Sequence, residues 1–333
     1  MGKKKKRRRS LAKQKMFKVV TLLLTCLACS TICLIGILIR NRLPLYVQEP
    51  GHELTGHRYL YDQLYGWKNI PGWQASTINQ PLSINSKGLR DREYPYQKAA
   101  DTKRILVLGD SYTWGYGVGN KEIYTEVLEE TLQDKYPHYE VLNAGVSGWG
   151  TDQQYLFLIT EGLKYSPDLV IVSHFINDLD EILQTESYGL QKPIYRLQGN
   201  NLVPGNLPVP RPSLANTKTV QRINPFLLTK HLLEEMQRKC AEVNCPLVVM
   251  QFGTFIFPDR DDSIKLRKLI TAAFPLIENV HYLDLDGEFA AAELSAEELI
   301  GKNKDHHWDA NGHRQTAEIL YRFLQEQQLL SVR

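Results

Sequence analysis

Beyond Asp101 the chain alternates short apolar runs with amphipathic stretches. Arg104–Leu108, Tyr139–Asn143, Asp168–Ser173, Pro246–Met250 and His281–Leu285 are compact, largely apolar segments, the pattern of strands buried on both faces. Ile123–Asp134, Gln153–Lys164, Pro225–Val243, Ser263–Ile277 and Gly312–Gln328 carry apolar positions at helical spacing. Strand alternating with helix predicts an α/β domain over residues 101–333, a five-stranded parallel sheet with helices on both faces, hence a three-layer αβα sandwich. Thr185–Ile223 breaks the rhythm, with Pro193, Pro204, Pro208, Pro210 and Pro212 around Gly199-Asn200-Asn201. That composition excludes a long helix and predicts an insertion, a hairpin plus an extended loop, either plain surface or a lid over the substrate.

A different pattern governs the amino terminus. Lys3 to Arg9 are all basic, Lys13, Lys15 and Lys18 follow, and Val19–Ile39 is then a run of 21 residues with no ionisable group except thiols. As a helix this run is about 31 Å long, close to the hydrocarbon thickness of a bilayer. The expectation is a basic cytoplasmic tail over 1–18, one transmembrane signal-anchor helix over 19–39, and the body outside, because positive charge concentrates on the cytoplasmic side. A cleaved signal peptide has a shorter apolar core and a small-residue exit, and a lipoprotein signal at Cys26 or Cys29 would end sooner. Residues 40–100, rich in Tyr, Gly and Pro, read as a juxtamembrane stalk or collar packed on the main domain.

Charge sharpens this division. Twelve of the 40 Lys and Arg lie in residues 1–42, leaving 28 against all 37 Asp and Glu in the remainder, a net of −9. An acidic body argues against nucleic acid as a partner. Of the five cysteines, Cys26, Cys29 and Cys33 belong to the apolar run. Cys240 and Cys245, at a predicted helix-to-strand corner, are either a local disulfide or buried thiols.

Open α/β sheets carry their chemistry at the carboxyl ends of the strands, and four such places are informative. Gly109-Asp110-Ser111-Tyr112 puts a hydroxyl at a tight corner after the first strand, with the next predicted helix only from Ile123. Asn143-Ala-Gly-Val-Ser-Gly148 offers backbone amides that a ligand can approach closely. His174-Phe-Ile-Asn177-Asp178 adds a side-chain amide. Lys304-Asp305-His306-His307 supplies a carboxylate and imidazoles ahead of the last helix. Together these are the parts of a serine hydrolase: nucleophile, base, orienting carboxylate and oxyanion donors. A metal-dependent hydrolase built on Asp305, His306 and His307 is the alternative reading of the last cluster.

The same four blocks resemble those of the GDSL or SGNH hydrolases. Ile105-Leu-Val-Leu-Gly-Asp-Ser111 is similar to the first, Asn143–Gly148 to the second, Ile176-Asn177-Asp178 to the third and His307-Trp-Asp-Ala-Asn-Gly-His313 to the last. The resemblance spans about residues 101–330, and Asp62–Trp67, Pro71-Gly72 and Ile84–Asp91 are similar to the lead-in of bacterial membrane-anchored members. It implies a flavodoxin-like fold and an ester-cleaving enzyme without metal or cofactor. The implied catalytic set is Ser111 as nucleophile, His307 as base, Asp305 as its orienting carboxylate, and the amides of Ser111, Gly148 and Asn177 as oxyanion donors. Two departures stand out: Lys304 holds the family's usual aspartate position, leaving Asp305 to substitute, and Tyr112 replaces the usual leucine. The implied substrate is a small acyl ester on an extracytoplasmic glycan or envelope component, with lipid esters also open. An O-acyltransferase using the same serine and a non-catalytic glycan-binding protein on the same fold are the competing functions. Trp114, Tyr116 and Trp149 are candidate sugar-stacking residues near the site. Oligomeric state is left open.

Overall fold

The computed structural model describes residues 59–77, 80–211, 218–256, 263–301 and 306–331. The expected tail, the transmembrane segment and the first part of the collar lie outside the described residues. Among those that are described, no helix is long and apolar enough to cross a membrane.

The collar contains two hairpins, β1 (Tyr59–Asp62) with β2 (Gly66–Asn69), and β3 (Gln74–Thr77) with β4 (Gln80–Ser83). Then comes β5 (Lys103–Gly109), a short helix α1 (Ser111–Trp114), α2 (Tyr124–Gln133), β6 (Tyr139–Gly145), α3 (Thr151–Thr160) and β7 (Leu169–Phe175). The chain continues through α4 (Asp178–Glu181), β8 (Glu186–Ser187), β9 (Leu190–Gln191), β10 (Ile194–Gln198), β11 (Asn201–Gly205) and α5 (Pro225–Ala241). It ends with β12 (Leu247–Phe252), α6 (Ser263–Ala273), β13 (Val280–Asp284), α7 (Leu285–Ala291), α8 (Ala296–Ile300) and α9 (Ala310–Glu326).

Strands β5, β6, β7, β12 and β13 form one parallel sheet in the order β13-β12-β7-β5-β6, the flavodoxin-like order expected. Side chains of β7 and β12 are buried along their whole length, which explains runs without polar alternation. Helix α9 packs on α2, and α3 on α5. The strand order reverses at β5, between β6 and β7, and that reversal opens a crevice at the strands' carboxyl ends.

The interval from Thr185 is a tight two-residue hairpin, β8 to β9, followed by a second hairpin, β10 to β11. Its Lys192 and the Asp152 of α3 form an ion pair with both side chains fully buried. Cys240 and Cys245 are free, buried thiols, so the disulfide alternative gives way to the packing one.

Candidate active site

Ser111 follows β5 directly. The sequence placed the next helix only at Ile123, but a single turn begins at Ser111, capped by Asp110, whose carboxylate accepts from the Tyr112 backbone N–H at 2.9 Å. Burial raises the Asp110 carboxyl to about 7. The turn closes at Gly115 in the left-handed region, φ 85°. One helical turn has too few residues to show a periodicity, which is why it was invisible.

Ser111 Oγ lies 2.8 Å from His307 Nε2, across 196 residues of sequence. Both residues are half-buried, open enough for a substrate yet flanked by protein. The His307 ring is flanked by Tyr112, centroids 4.8 Å apart, and Tyr116, 4.6 Å. Tyr112 also packs against Phe175 at a tilt and edge-on against Phe252 and Trp308, and its hydroxyl donates to the His306 carbonyl at 2.8 Å. The departure from leucine therefore adds a hydrogen bond that pins the loop carrying the imidazole. His306 itself is exposed and has φ 65°. His313 lies in the first turn of α9, buried, with Nδ1 accepting from the Tyr124 N–H at 3.3 Å. Burial, then Arg90 and His307, lower its pKa to about 3, so this ring is a neutral acceptor. Asp305 lies outside the described residues. Among the described residues, no three His, Cys, Asp or Glu side chains are grouped to hold a metal ion.

The second block packs directly on the nucleophile's turn. Asn143 donates through Nδ2 to the Thr113 carbonyl at 2.7 Å and accepts the Gly145 N–H at 2.9 Å. A Cβ on Gly145 would lie 2.4 Å from the Trp114 nitrogen, so only glycine permits this approach. Gly148 has φ 77°, and a Cβ there would come 2.9 Å from the Tyr188 ring. Asn177, immediately before α4, donates through Nδ2 to Glu181 Oε1 at 3.1 Å and approaches the Tyr188 hydroxyl at 3.5 Å. Gly148 and Asn177 are thus brought together around one tyrosine, while Ser111 and His307 meet directly.

Of the candidate stacking aromatics, only Tyr116 lies half-buried against the imidazole. Trp149 is a core residue, packed on Tyr65 and Phe157, with its N–H donating to the Trp67 carbonyl. Trp114 is buried against Leu82 and Ile84. Both therefore pack the collar onto the sheet edge.

Several supporting residues escaped the sequence reading. Arg90 is fully buried and donates to the carbonyls of Trp114 (2.8 Å), Gly115 (2.5 Å) and Val118 (2.6 Å), and to Asn120 Oδ1. Asp91 accepts from the Asn143 N–H at 2.9 Å, and burial together with Glu126 holds its carboxyl well above the usual range. The only sequence signal was their place in the lead-in motif. Glu181 and Tyr188 had no signal at all.

The model of the GDSL-like lipase/acylhydrolase family matches residues 107–315. Solved structures similar to the chain include the psychrotrophic esterase EstA from a Pseudoalteromonas species, at 15% identity and a TM-score of 0.46, with 68% of this chain and 100% of that one covered. Another is the lipase/acylhydrolase from Enterococcus faecalis, at 16% identity and a TM-score of 0.45, with 68% and 97% covered. No curated protein matches the chain.

Proposed function

The chain belongs to the GDSL-like lipase/acylhydrolase family and is an ester hydrolase, and from that premise we propose how its own residues carry the reaction. His307 Nε2 takes the proton of Ser111 Oγ as that oxygen attacks the ester carbonyl. The carbonyl oxygen becomes an oxyanion and accepts from the backbone N–H groups of Ser111 and Gly148 and from Asn177 Nδ2. Collapse expels the alcohol, which leaves with the proton held by His307, and Ser111 carries the acyl group. Water then attacks with His307 again as base, releasing the acid and restoring the serine. Asp305 orients the imidazole and stabilises its charged form. The observation that carries this reading is the 2.8 Å approach of His307 Nε2 to Ser111 Oγ.

The substrate we assign is a small acyl ester on a glycan or other envelope component outside the membrane. Its support is the amino-terminal architecture: a basic head followed by a 21-residue run without ionisable groups other than thiols, long enough to span a bilayer, ahead of an acidic body. Protease added to intact cells should then digest the body and spare the tail.

Fluorophosphonate labelling of the full chain tests the nucleophile. Wild type should be labelled, and Ser111→Ala and His307→Ala should not. A folded wild type that takes up no probe would overturn the assignment.

A further inference from the structure

Tyr188 sits in an unusual place. It occupies the first position of the two-residue turn between β8 and β9, with φ 53°, and Gly189 follows at φ 77°. Such a turn normally takes Asn, Asp or Gly, and a bulky residue in the left-handed region carries backbone strain. Strain of this kind collects at functional sites. The ring is 48% exposed, so core burial does not explain the choice of tyrosine.

What the side chain touches does explain it. One ring edge lies against Gly148, where a Cβ would meet Cδ2 at 2.9 Å and Cε2 at 3.0 Å. The hydroxyl accepts from Asn177 Nδ2 at 3.5 Å and donates its own proton to the Glu181 carboxyl. Two donors that each reach one shared oxygen at about 2.9 Å stand roughly 3.5 to 4.7 Å apart, for ordinary angles at that oxygen. The phenol oxygen and the Asn177 amide nitrogen have that separation. The other Asn177 contact, to Glu181 Oε1 at 3.1 Å, is the shorter and the more buried. It fixes the amide plane, while the long contact to Tyr188 is the one a substrate oxygen would replace.

We propose that Tyr188 is a further catalytic donor, its O–H turning from Glu181 to join Asn177 Nδ2 at the oxyanion, and that Glu181 is the positioning residue that holds the Asn177 amide for that task. The inference rests on the ester-hydrolase mechanism above. The phenolic proton is shared with the oxyanion and not transferred, so the chemistry of acylation and deacylation is unchanged. The hydroxyl is well equipped to stay protonated: desolvation, then the Glu181 carboxylate, push it far above the ordinary tyrosine range. Glu181 is raised to about 8 by burial, with Asp110 and Asp152 adding to the rise and Tyr188 and Lys192 opposing it. Asp178 also faces this group. Below that pH Glu181 is a neutral acceptor for Asn177. Above it, a negative charge stands beside the developing oxyanion and opposes it.

The test is steady-state hydrolysis of p-nitrophenyl acetate by the full chain across pH 6 to 9.5. Tyr188→Phe keeps the ring against Gly148 and removes only the hydroxyl. It should lower kcat on the order of 100-fold with KM nearly unchanged. Glu181→Leu should approach the loss seen in Asn177→Ala, and Glu181→Gln, whose amide oxygen can still accept, should recover most of it. Wild-type kcat should fall above pH 8, and Glu181→Gln should lack that fall. A Tyr188→Phe enzyme as fast as wild type, or faster, overturns the donor role and makes the ring a cover. An alkaline fall identical in Glu181→Gln overturns the positioning role. These outcomes presuppose an active wild type; a chain that neither hydrolyses esters nor takes up fluorophosphonate overturns the hydrolase mechanism itself, and the inference with it.

Discussion

Replacing Arg90 with Leu should unfasten the nucleophile from the collar. The guanidinium is fully buried and makes one bond to each of three backbone carbonyls, those of Trp114, Gly115 and Val118, besides Asn120 and the face of Trp114 at 4.4 Å. Two of those carbonyls end the helical turn that begins with Ser111. Leucine removes a buried charge, a gain, but strands three carbonyls without their donor. At about 1 to 3 kcal/mol for each unsatisfied buried acceptor, less the relief of not burying the guanidinium, the net loss should be roughly 3 to 5 kcal/mol. That is a large share of the 5 to 15 kcal/mol typical of a folded domain. Arg90→Lys should lose less, since an ammonium keeps the charge and three donors without the planar fork that spans three carbonyls. Urea unfolding would measure the loss as a lower midpoint at unchanged slope. Fluorophosphonate uptake at low temperature would show whether the remaining folded enzyme reacts at least 10-fold more slowly. A loss under about 1 kcal/mol with undiminished labelling would refute the claim that Arg90 holds the turn.

Other consequences follow from the same geometry. Lys192→Met should destabilise by roughly 3 to 5 kcal/mol, because it leaves the fully buried Asp152 carboxyl without its ion-pair partner, and thermal unfolding would read this directly. Gly148→Ala should cut esterase activity while leaving the fold largely intact, since the new Cβ at φ 77° meets the Tyr188 ring at 2.9 Å; unchanged kcat would count against that contact. Stability should fall as pH rises from 6.5 to 8. Burial lifts Asp110 from 3.8 to about 7 and Glu181 from 4.5 to about 8, so across that range the native state holds protons the unfolded chain has released. His174 and His313, lowered from 6.5 to about 4 and about 3, act the other way only as pH falls below 6.5. A melting temperature that rises between pH 6.5 and 8 would contradict this balance.

The five sheet strands were legible because burial on both faces writes itself locally, as runs such as Ile105-Leu-Val-Leu108. The long helices were legible from their spacing, with ends misplaced by a few residues where caps such as Gly150 and Asp309 decide the boundary. The turn at Ser111 and the four-residue collar strands were too short to leave a period. Arg90 and Asp91 stood only as part of the lead-in motif, since nothing near them in sequence shows that their partners lie at Trp114–Val118 and Asn143.

Residue chemistry and order along the chain determined the sheet, its strand-end loops and the serine, amide and imidazole candidates those loops carry. The family resemblance had already singled out His307 as the base; bringing its ring within 2.8 Å of Ser111, and placing Tyr188 and Glu181 beside Asn177, belonged to the tertiary structure alone. The reason is physical: strand and helix patterns arise from each residue's own neighbours, whereas a hydrogen bond across 196 residues depends on how the loops at the sheet's edge are packed against one another.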